Sequence, residues 1–270
     1  MDTPRLERLL GEVGDLACRA GEAILGTADS LGDVEHKSDG SPVTRADRAA
    51  HAVLERGLRS LEPDVAIISE EGRLRETVRS AGSVYWLVDP LDGTKEFVAG
   101  RPEYTVNVAL VDSGEPILGV IQVPVSGRLY LAARGLGARR VDRGGSEEVR
   151  LKPATVERPR RAVVSRSHLT PPTESFLARL GVTETTPCGS SLKICAVAEG
   201  VADVYPRFGP TSLWDTAAGT AIAVAAGCAV VDLSGRPLRY DLVRGLIHPG
   251  FLVAAPGGCL EACLPALPRE

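Results

Sequence analysis

The segment Tyr85-Trp86-Leu87-Val88-Asp89-Pro90-Leu91-Asp92-Gly93-Thr94-Lys95-Glu96-Phe97 decides how this chain folds. Tyr85 to Val88 form an apolar run suited to a buried strand, and the run stops at an acid, a proline, a second acid and a glycine. Such a pattern predicts an interior strand that delivers its last side chains to a surface cleft. Pro90 fixes its own φ and withholds a donor, while Gly93 permits a backbone angle that residues with a Cβ resist. The turn is stiff and projects Asp89 and Asp92 close together. Two carboxylates about 5 Å apart repel by roughly 3 kcal/mol at an effective dielectric near 20. A shared proton, a cationic side chain or a metal must offset that, and an all-oxygen cluster favours a hard cation such as Mg2+ over zinc. A strand ending in a solvated acidic turn accounts for the same residues, and this segment alone leaves both readings open.

Upstream, Val65-Ala66-Ile67-Ile68-Ser69 repeats the design, ending in Glu70-Glu71-Gly72. Two strands that both finish in acids make a shared carboxylate cluster more plausible than either does alone, with Glu71 the expected spare. Residues 4 to about 26 predict a helix capped by Thr3 with Pro4 in its first turn, its apolar stripe being Leu6, Leu9, Leu10, Val13 and Leu16-Ala17. The polar stretch Glu35-His36-Lys37-Ser38-Asp39-Gly40-Ser41-Pro42 predicts a mobile loop. A second helix is expected from after Thr44 to about Leu61. Asp47, three residues after Thr44, reads first as a capping partner that also suits the helix dipole.

Downstream, Thr105 to about Val141 reads as strand after strand. Val106, Val108 and Leu110 alternate with Thr105, Asn107 and Ala109, which predicts a half-buried strand. Ile117–Val123 and Leu129–Ala133 follow with connections short enough for antiparallel hairpins. Residues 142–160 are polar and contain Gly144-Gly145, which places a junction there between a half spanning 1–150 and one spanning 151–270. The second half alternates strand and helix. Strands are expected at Arg161–Ser165, near Thr183–Pro187 and at Asp203-Val204-Tyr205. Helices are expected at about Pro172–Leu180, after Gly189-Ser190-Ser191, and from Trp214-Asp215 through Ala226. A place at a helix N-terminus makes Asp215, on its own, an ordinary dipole partner.

With 44% hydrophobic and 24% charged residues, the 270-residue chain matches a soluble globular protein of one or two domains. A formal net charge of −4 gives no basic field to draw in nucleic acid. The six cysteines form neither C-x-x-C pairs nor zinc spacings and sit mostly among apolar neighbours, which predicts free thiols in a reducing compartment. Met1-Asp2-Thr3-Pro4-Arg5 lacks the apolar core of a signal peptide, and the low-polarity run Ala217–Val231 is too short to span a bilayer. A cytoplasmic location is therefore expected.

Glu70-Glu71, Asp89-Pro90-Leu91-Asp92-Gly93-Thr94 and Trp214-Asp215-Thr216-Ala217-Ala218-Gly219, in this order, resemble the inositol monophosphatase superfamily of Mg2+-dependent, Li+-sensitive phosphatases. The resemblance extends over nearly the whole chain. Within it, Gly93-Thr94-Lys95-Glu96-Phe97, Val164-Ser165-Arg166-Ser167-His168, Gly189-Ser190-Ser191-Leu192-Lys193 and Tyr205-Pro206-Arg207-Phe208-Gly209-Pro210 are similar to the CysQ-type branch of 3'(2'),5'-bisphosphate nucleotidases. Inositol phosphatases usually carry T-N-F after the D-G-T. His248-Pro249-Gly250-Phe251 departs from the pattern, which has Asn before the proline.

The resemblance implies an α+β fold, an α-β-α-β-α layered sandwich of the inositol monophosphatase and fructose-1,6-bisphosphatase type, with a metal site between its halves. It implies Glu70, Asp89, Asp92 and Asp215 as side-chain ligands, with the Leu91 carbonyl, for two or three Mg2+ ions. It implies Asp47 and Thr94 as the pair that orients and activates the attacking water, reversing the capping reading of Asp47. Gly93 and Thr94 would offer backbone N–H groups to a phosphate if a helix starts there. Lys193, Arg207 and Arg166 are candidates for a second anionic group, with Ser165, Gly189, Ser190 and Ser191 beside them; each base could instead be a solvated surface residue. His168 stays outside the catalytic set.

The implied reaction is hydrolysis of adenosine 3',5'-bisphosphate to AMP and phosphate, with 3'-phosphoadenylyl sulfate as a second substrate, in the service of sulfate assimilation. The competing activity is an inositol-phosphate or sugar-phosphate phosphatase on the same metal centre. A third reading, a catalytically silent phosphate-binding protein, predicts loss of one or more metal acids, and all four are present. The expected partner is a small nucleotide rather than a nucleic-acid polymer. Monomer or homodimer, and peripheral contact with the inner membrane, stay open.

Overall fold

The computed structural model describes residues 1–27, 35–36, 42–142, 147–166 and 169–268. Most of the polar loop before Pro42, the Gly144-Gly145 part of the expected junction, and Ser167-His168 lie outside these residues.

The chain opens with α1 (Thr3–Leu25), which Asp2 rather than Thr3 caps by accepting the Arg5 N–H at 3.1 Å. A short ladder, β1 (Glu35–His36) with β2 (Pro42–Val43), leads to α2 (Arg45–Leu61), capped by Thr44 as its sequence predicts. Then follow β3 (Ala66–Ser69), α3 (Leu74–Ser80), β4 (Val84–Asp92) and the single turn α4 (Thr94–Val98). The antiparallel run is β5 (Thr105–Asp112), β6 (Glu115–Val123), β7 (Arg128–Ala133), β8 (Gly137–Val141) and β9 (Glu148–Arg150). These strands form a seven-stranded sheet in the order β3-β4-β5-β6-β7-β8-β9, in which only β3 and β4 run parallel.

Beyond it come β10 (Arg161–Ser165), α5 (Pro171–Leu180), β11 (Glu184–Cys188), α6 (Leu192–Ala198) and β12 (Val204–Arg207). The chain continues through β13 (Thr211–Ser212), α7 (Leu213–Ala225), β14 (Ala229–Asp232), β15 (Ile247–His248), β16 (Phe251–Ala254) and α8 (Cys259–Cys263). The second sheet has the order β11-β10-β12-β16-β14, and β13 pairs with β15 apart from it. Neither β14, β16, α3 nor α8 was apparent from the sequence pattern.

Strand alternation sets the layers. In β4, Trp86 and Val88 face the cluster built with Leu9, Leu10 and Val13 of α1 and Leu54 and Leu58 of α2. Tyr85 and Leu87 face the opposite way, toward Ala217, Ala218 and Ile222 of α7. Helices α6 and α7 lie between the two sheets, and α5 and α8 supply the last layer, with Arg179 Nη2 of α5 donating to the Ala266 carbonyl in the turn after α8 at 2.6 Å. The result is the α-β-α-β-α sandwich. β5 is therefore covered on both faces, and Thr105 and Asn107 are fully buried instead of half-exposed. The small residues of α7 permit a close approach to β6: a Cβ at Gly119 would fall 2.4 Å from the Ala218 carbonyl oxygen. All six thiols are free, four of them buried. No described helix is long and apolar enough to cross a membrane.

Candidate active site

Parallel pairing of β3 with β4 sets Ser69 opposite Val88, so the residues that follow, Glu70 and Asp89, emerge side by side. The Glu70 N–H donates to the Val88 carbonyl at 3.2 Å and fixes that level. Alternation places Asp89 on the face of β4 that α7 covers. Asp215 sits in the first turn of α7 and accepts the Ser212 N–H at 3.2 Å. Carboxylate oxygens of Glu70, Asp89 and Asp215 lie within 4.8 Å of one another. Three acids from three elements thus share one spot.

Burial is the main force on these groups. It pushes the Asp89 carboxyl well above the usual range, aided by the charges of Glu70, Asp92 and Asp215 and opposed by the Leu91 N–H at 3.0 Å. Asp215 is raised likewise, first by desolvation and then by Asp92 and Glu70. Like charges gathered out of water must find a counter-charge or a proton. The donor set is all oxygen, which suits a hard divalent cation.

Asp92 lies beside this group rather than within it. The ladder slips between Asp89 and Asp92, since Asp89 pairs with Asn107 and Asp92 with Thr105, so β4 carries an extra residue in a bulge. One oxygen of Asp92 takes both protein donors, the Ser191 N–H at 2.6 Å and Asn107 Nδ2 at 3.3 Å. Desolvation raises its pKa while Lys193 and these two donors pull it down. Asn107, Thr105 and Ser191 close a buried network: Ser191 Oγ donates to Asn107 Oδ1 at 2.9 Å, and Thr105 Oγ1 lies 2.8 Å from Ser191 Oγ. Sequence pattern missed Asn107 because it reads as one more polar residue on an exposed strand face.

Asp47 caps its helix and also meets Thr94. Its Oδ2 accepts the Thr44 N–H at 2.7 Å and the Thr44 hydroxyl at 2.6 Å, completing the helix cap. Its Oδ1 accepts the Thr94 hydroxyl at 3.2 Å, and Thr94 Oγ1 also lies 3.2 Å from the Leu91 carbonyl. Gly93, with φ of 96°, turns the chain from β4 into α4; a Cβ there would stand 3.1 Å from the Glu103 carbonyl.

Asp92 and Asp215 border a cleft whose other wall holds Arg166, Lys193 and Arg207, with Ser165, Gly189, Ser190 and Ser191 between them. Tyr205, Ile194 and Phe251 make its apolar part. Lys193 is buried, its ammonium 5.6 Å from the Tyr205 ring centre and donating to the Ser190 carbonyl at 2.5 Å. Burial lowers its pKa, and Asp92 is the chief charge opposing that. Arg207 donates through Nε to Thr211 Oγ1 at 3.1 Å and through Nη2 to the Pro210 carbonyl at 3.2 Å. Ser190 holds a positive φ of 45°, an uncommon state for a residue with a Cβ, and its buried hydroxyl has no hydrogen-bond partner among the described residues. Glu96, buried on α4, also lines the cleft and was not anticipated.

Residues 6–263 match the inositol monophosphatase family. The chain belongs to the inositol monophosphatase family. Family relatives include the 3'(2'),5'-bisphosphate nucleotidase CysQ of Escherichia coli (strain K12), 49% identical over 248 residues that make up 91% of this chain and 99% of that protein. The namesake from Buchnera aphidicola is 40% identical over 92% of this chain and 94% of its own length. Among solved structures of the family, CysQ from Bacteroides thetaiotaomicron superposes with a TM-score of 0.79 at 42% identity, covering 92% of this chain and 97% of that one.

Proposed function

We propose that this protein is a Mg2+-dependent 3'(2'),5'-bisphosphate nucleotidase, releasing the 3'-phosphate of adenosine 3',5'-bisphosphate to leave AMP. The observation that carries this reading is that one cleft joins an acid group to several cations, Arg166, Lys193 and Arg207 among them. A ligand with two separate phosphates matches that division, and the relatives named CysQ favour it over a simple monoester.

In this reading Glu70, Asp89 and Asp215 hold magnesium, with Asp92 and the Leu91 carbonyl completing its surroundings. Bound there, the metal would neutralise phosphate charge and make water more acidic. Thr94 donates its hydroxyl proton to Asp47 Oδ1, so the Thr94 oxygen is left to accept a proton from an attacking water, and Asp47 is the base behind it. A loose phosphoryl-transfer transition state needs positioning more than a covalent nucleophile, and that fits a cleft whose only thiol, Cys188, is pushed up by burial. Lys193, Arg207 and Arg166 serve the second phosphate. The same reading extends to hydrolysis of 3'-phosphoadenylyl sulfate, and with it a place in sulfate assimilation, because a sulfate-bearing group would meet the same cations.

The test is phosphate release from adenosine 3',5'-bisphosphate, inositol 1-phosphate and fructose 1,6-bisphosphate side by side, with Mg2+ and then with added Li+. The bisphosphate nucleotide should be preferred at least tenfold in kcat/KM, roughly the scale of one charge-assisted hydrogen bond. Equal or better turnover of inositol 1-phosphate would overturn the assignment in favour of an inositol-phosphate phosphatase.

A further inference from the structure

Arg166 stands on the cleft wall just after β10, and Glu103 belongs to the segment before β5, so any contact between them ties the two sheets together across the cleft. The contact is bidentate. Arg166 Nε donates to Glu103 Oε2 at 3.1 Å and Nη2 to Oε1 at 2.7 Å, while Nη2 also donates to the Pro187 carbonyl at 3.3 Å. A guanidinium has five N–H groups. Three are spent on these protein acceptors, and the two on Nη1 have no acceptor among the described residues.

Glu103 is itself held in place. Its backbone is wedged between two glycines of the cleft: a Cβ at Gly93 would lie 3.1 Å from the Glu103 carbonyl oxygen, and one at Gly189 would lie 2.9 Å from it. Any side chain at either glycine would displace the segment. The carboxylate therefore hangs from a fixed stretch of main chain, and the arginine it grips gives up most of its rotamer freedom before a ligand arrives. A long cationic side chain loses rotamer entropy when immobilised, so prior restraint spares that cost at binding.

We propose that Glu103 is a positioning residue for substrate selection: it holds Arg166 so that the two free Nη1 donors meet the second anionic group of a bisphosphate. This rests on the nucleotidase reading above. It also restricts Arg166 to a grip through one nitrogen, because both Nη2 protons and Nε are already taken, so the fork available to a free arginine is closed here. The hydrogen bonds of Lys193 and Arg207 go to neutral groups, the Ser190 and Pro210 carbonyls and the Thr211 hydroxyl. Among these three cations, Arg166 is the one hydrogen-bonded to a carboxylate.

The experiment compares kcat/KM for adenosine 3',5'-bisphosphate with that for 3'-AMP, which lacks the second phosphate, in the unmodified protein, Glu103→Ala, Glu103→Gln, Arg166→Ala and the double variant. The unmodified protein should favour the bisphosphate; if it does not, the nucleotidase reading fails before any variant is scored. Given that preference, Glu103→Ala should cut the ratio about tenfold, mainly through KM for the bisphosphate. Glu103→Gln, which keeps a carbonyl acceptor, should restore part of it. The double variant should be no worse than Arg166→Ala, since both act on one interaction. An unchanged ratio in Glu103→Ala, tighter binding of the bisphosphate, or additive losses in the double variant would each overturn the proposal. A cooperative melt within a few degrees of the unmodified protein identifies variants that retain the fold.

Discussion

The two walls of the cleft are built on opposite terms. On one, Glu70, Asp89 and Asp215 are forced together, and burial drives Asp89 and Asp215 toward protonation. On the other, Lys193 is engaged with the Ser190 carbonyl, Arg207 with Thr211 and Pro210, and Arg166 with Glu103. The difference teaches where ligand dependence resides. The acid wall gathers like charges out of water, whereas the basic wall holds its cations on protein acceptors in advance. Charge removed from the first should act on the reaction itself. Charge removed from the second should act on which molecule reacts.

The sharpest way to break that contrast is Asp215→Asn. Turnover should fall by about 1,000-fold or more, beyond the 10- to 100-fold typical of a supporting group, while thermal unfolding stays cooperative because a like-charge contact has been relieved. Retained activity would remove Asp215 from the ion-binding set.

Acid sensitivity of the scaffold must be separated from that of the cleft, and His248 provides the means. It is buried edge-on to Tyr240 at 5.0 Å, and burial holds its pKa down to about 4. The unfolded chain titrates near 6.5, so it takes up the proton first. Stability from neutral His248 is therefore present above that pH and is lost as pH falls toward 4, by at most about 3 kcal/mol. Urea midpoints between pH 7 and 5 should show the slope, and His248→Asn should flatten it. Identical slopes in the two proteins would place the acid response elsewhere.

A smaller effect is expected at the seam between the walls. Asn107→Ser should lower Mg2+ affinity roughly 10- to 100-fold by calorimetry, because Asp92 loses a donor that orients it. Thr105→Val, which removes a hydroxyl from the network without touching Asp92, should leave that affinity nearly intact; an equal fall would assign the effect to the network as a whole. Smallest are Lys193→Ala and Arg207→Ala, each expected to raise KM for the bisphosphate about tenfold and to spare simple monoesters. A uniform loss over all substrates would give these cations a structural role and erase the contrast.

The acid wall was legible in the chain because its logic is local. Apolar runs stopped by acids at Ser69-Glu70 and Val88-Asp89 state both a strand and what the strand delivers. That Asp89 and Glu70 share a level follows from parallel pairing of β3 with β4, which no short stretch reveals. Asn107 and Thr105 were misread for the same reason: alternation in Thr105–Leu110 looks like a strand with one wet face, yet α7, more than a hundred residues later, covers it. Glu103 left no signal, since its importance lies in which arginine crosses to meet it. Conversely, capping does not use up Asp47, because its two oxygens serve different neighbours, Thr44 and Thr94.

The near-contact of Gly119 with the Ala218 carbonyl has an evolutionary consequence. Helix α7 carries Asp215 and rests on β6 with no slack, so one methyl group inserted beneath it would tilt the helix and drag the carboxylate out of reach of its companions. A lineage could thus silence the centre while keeping every ligand letter in its genome, and a motif search would count such a descendant as active.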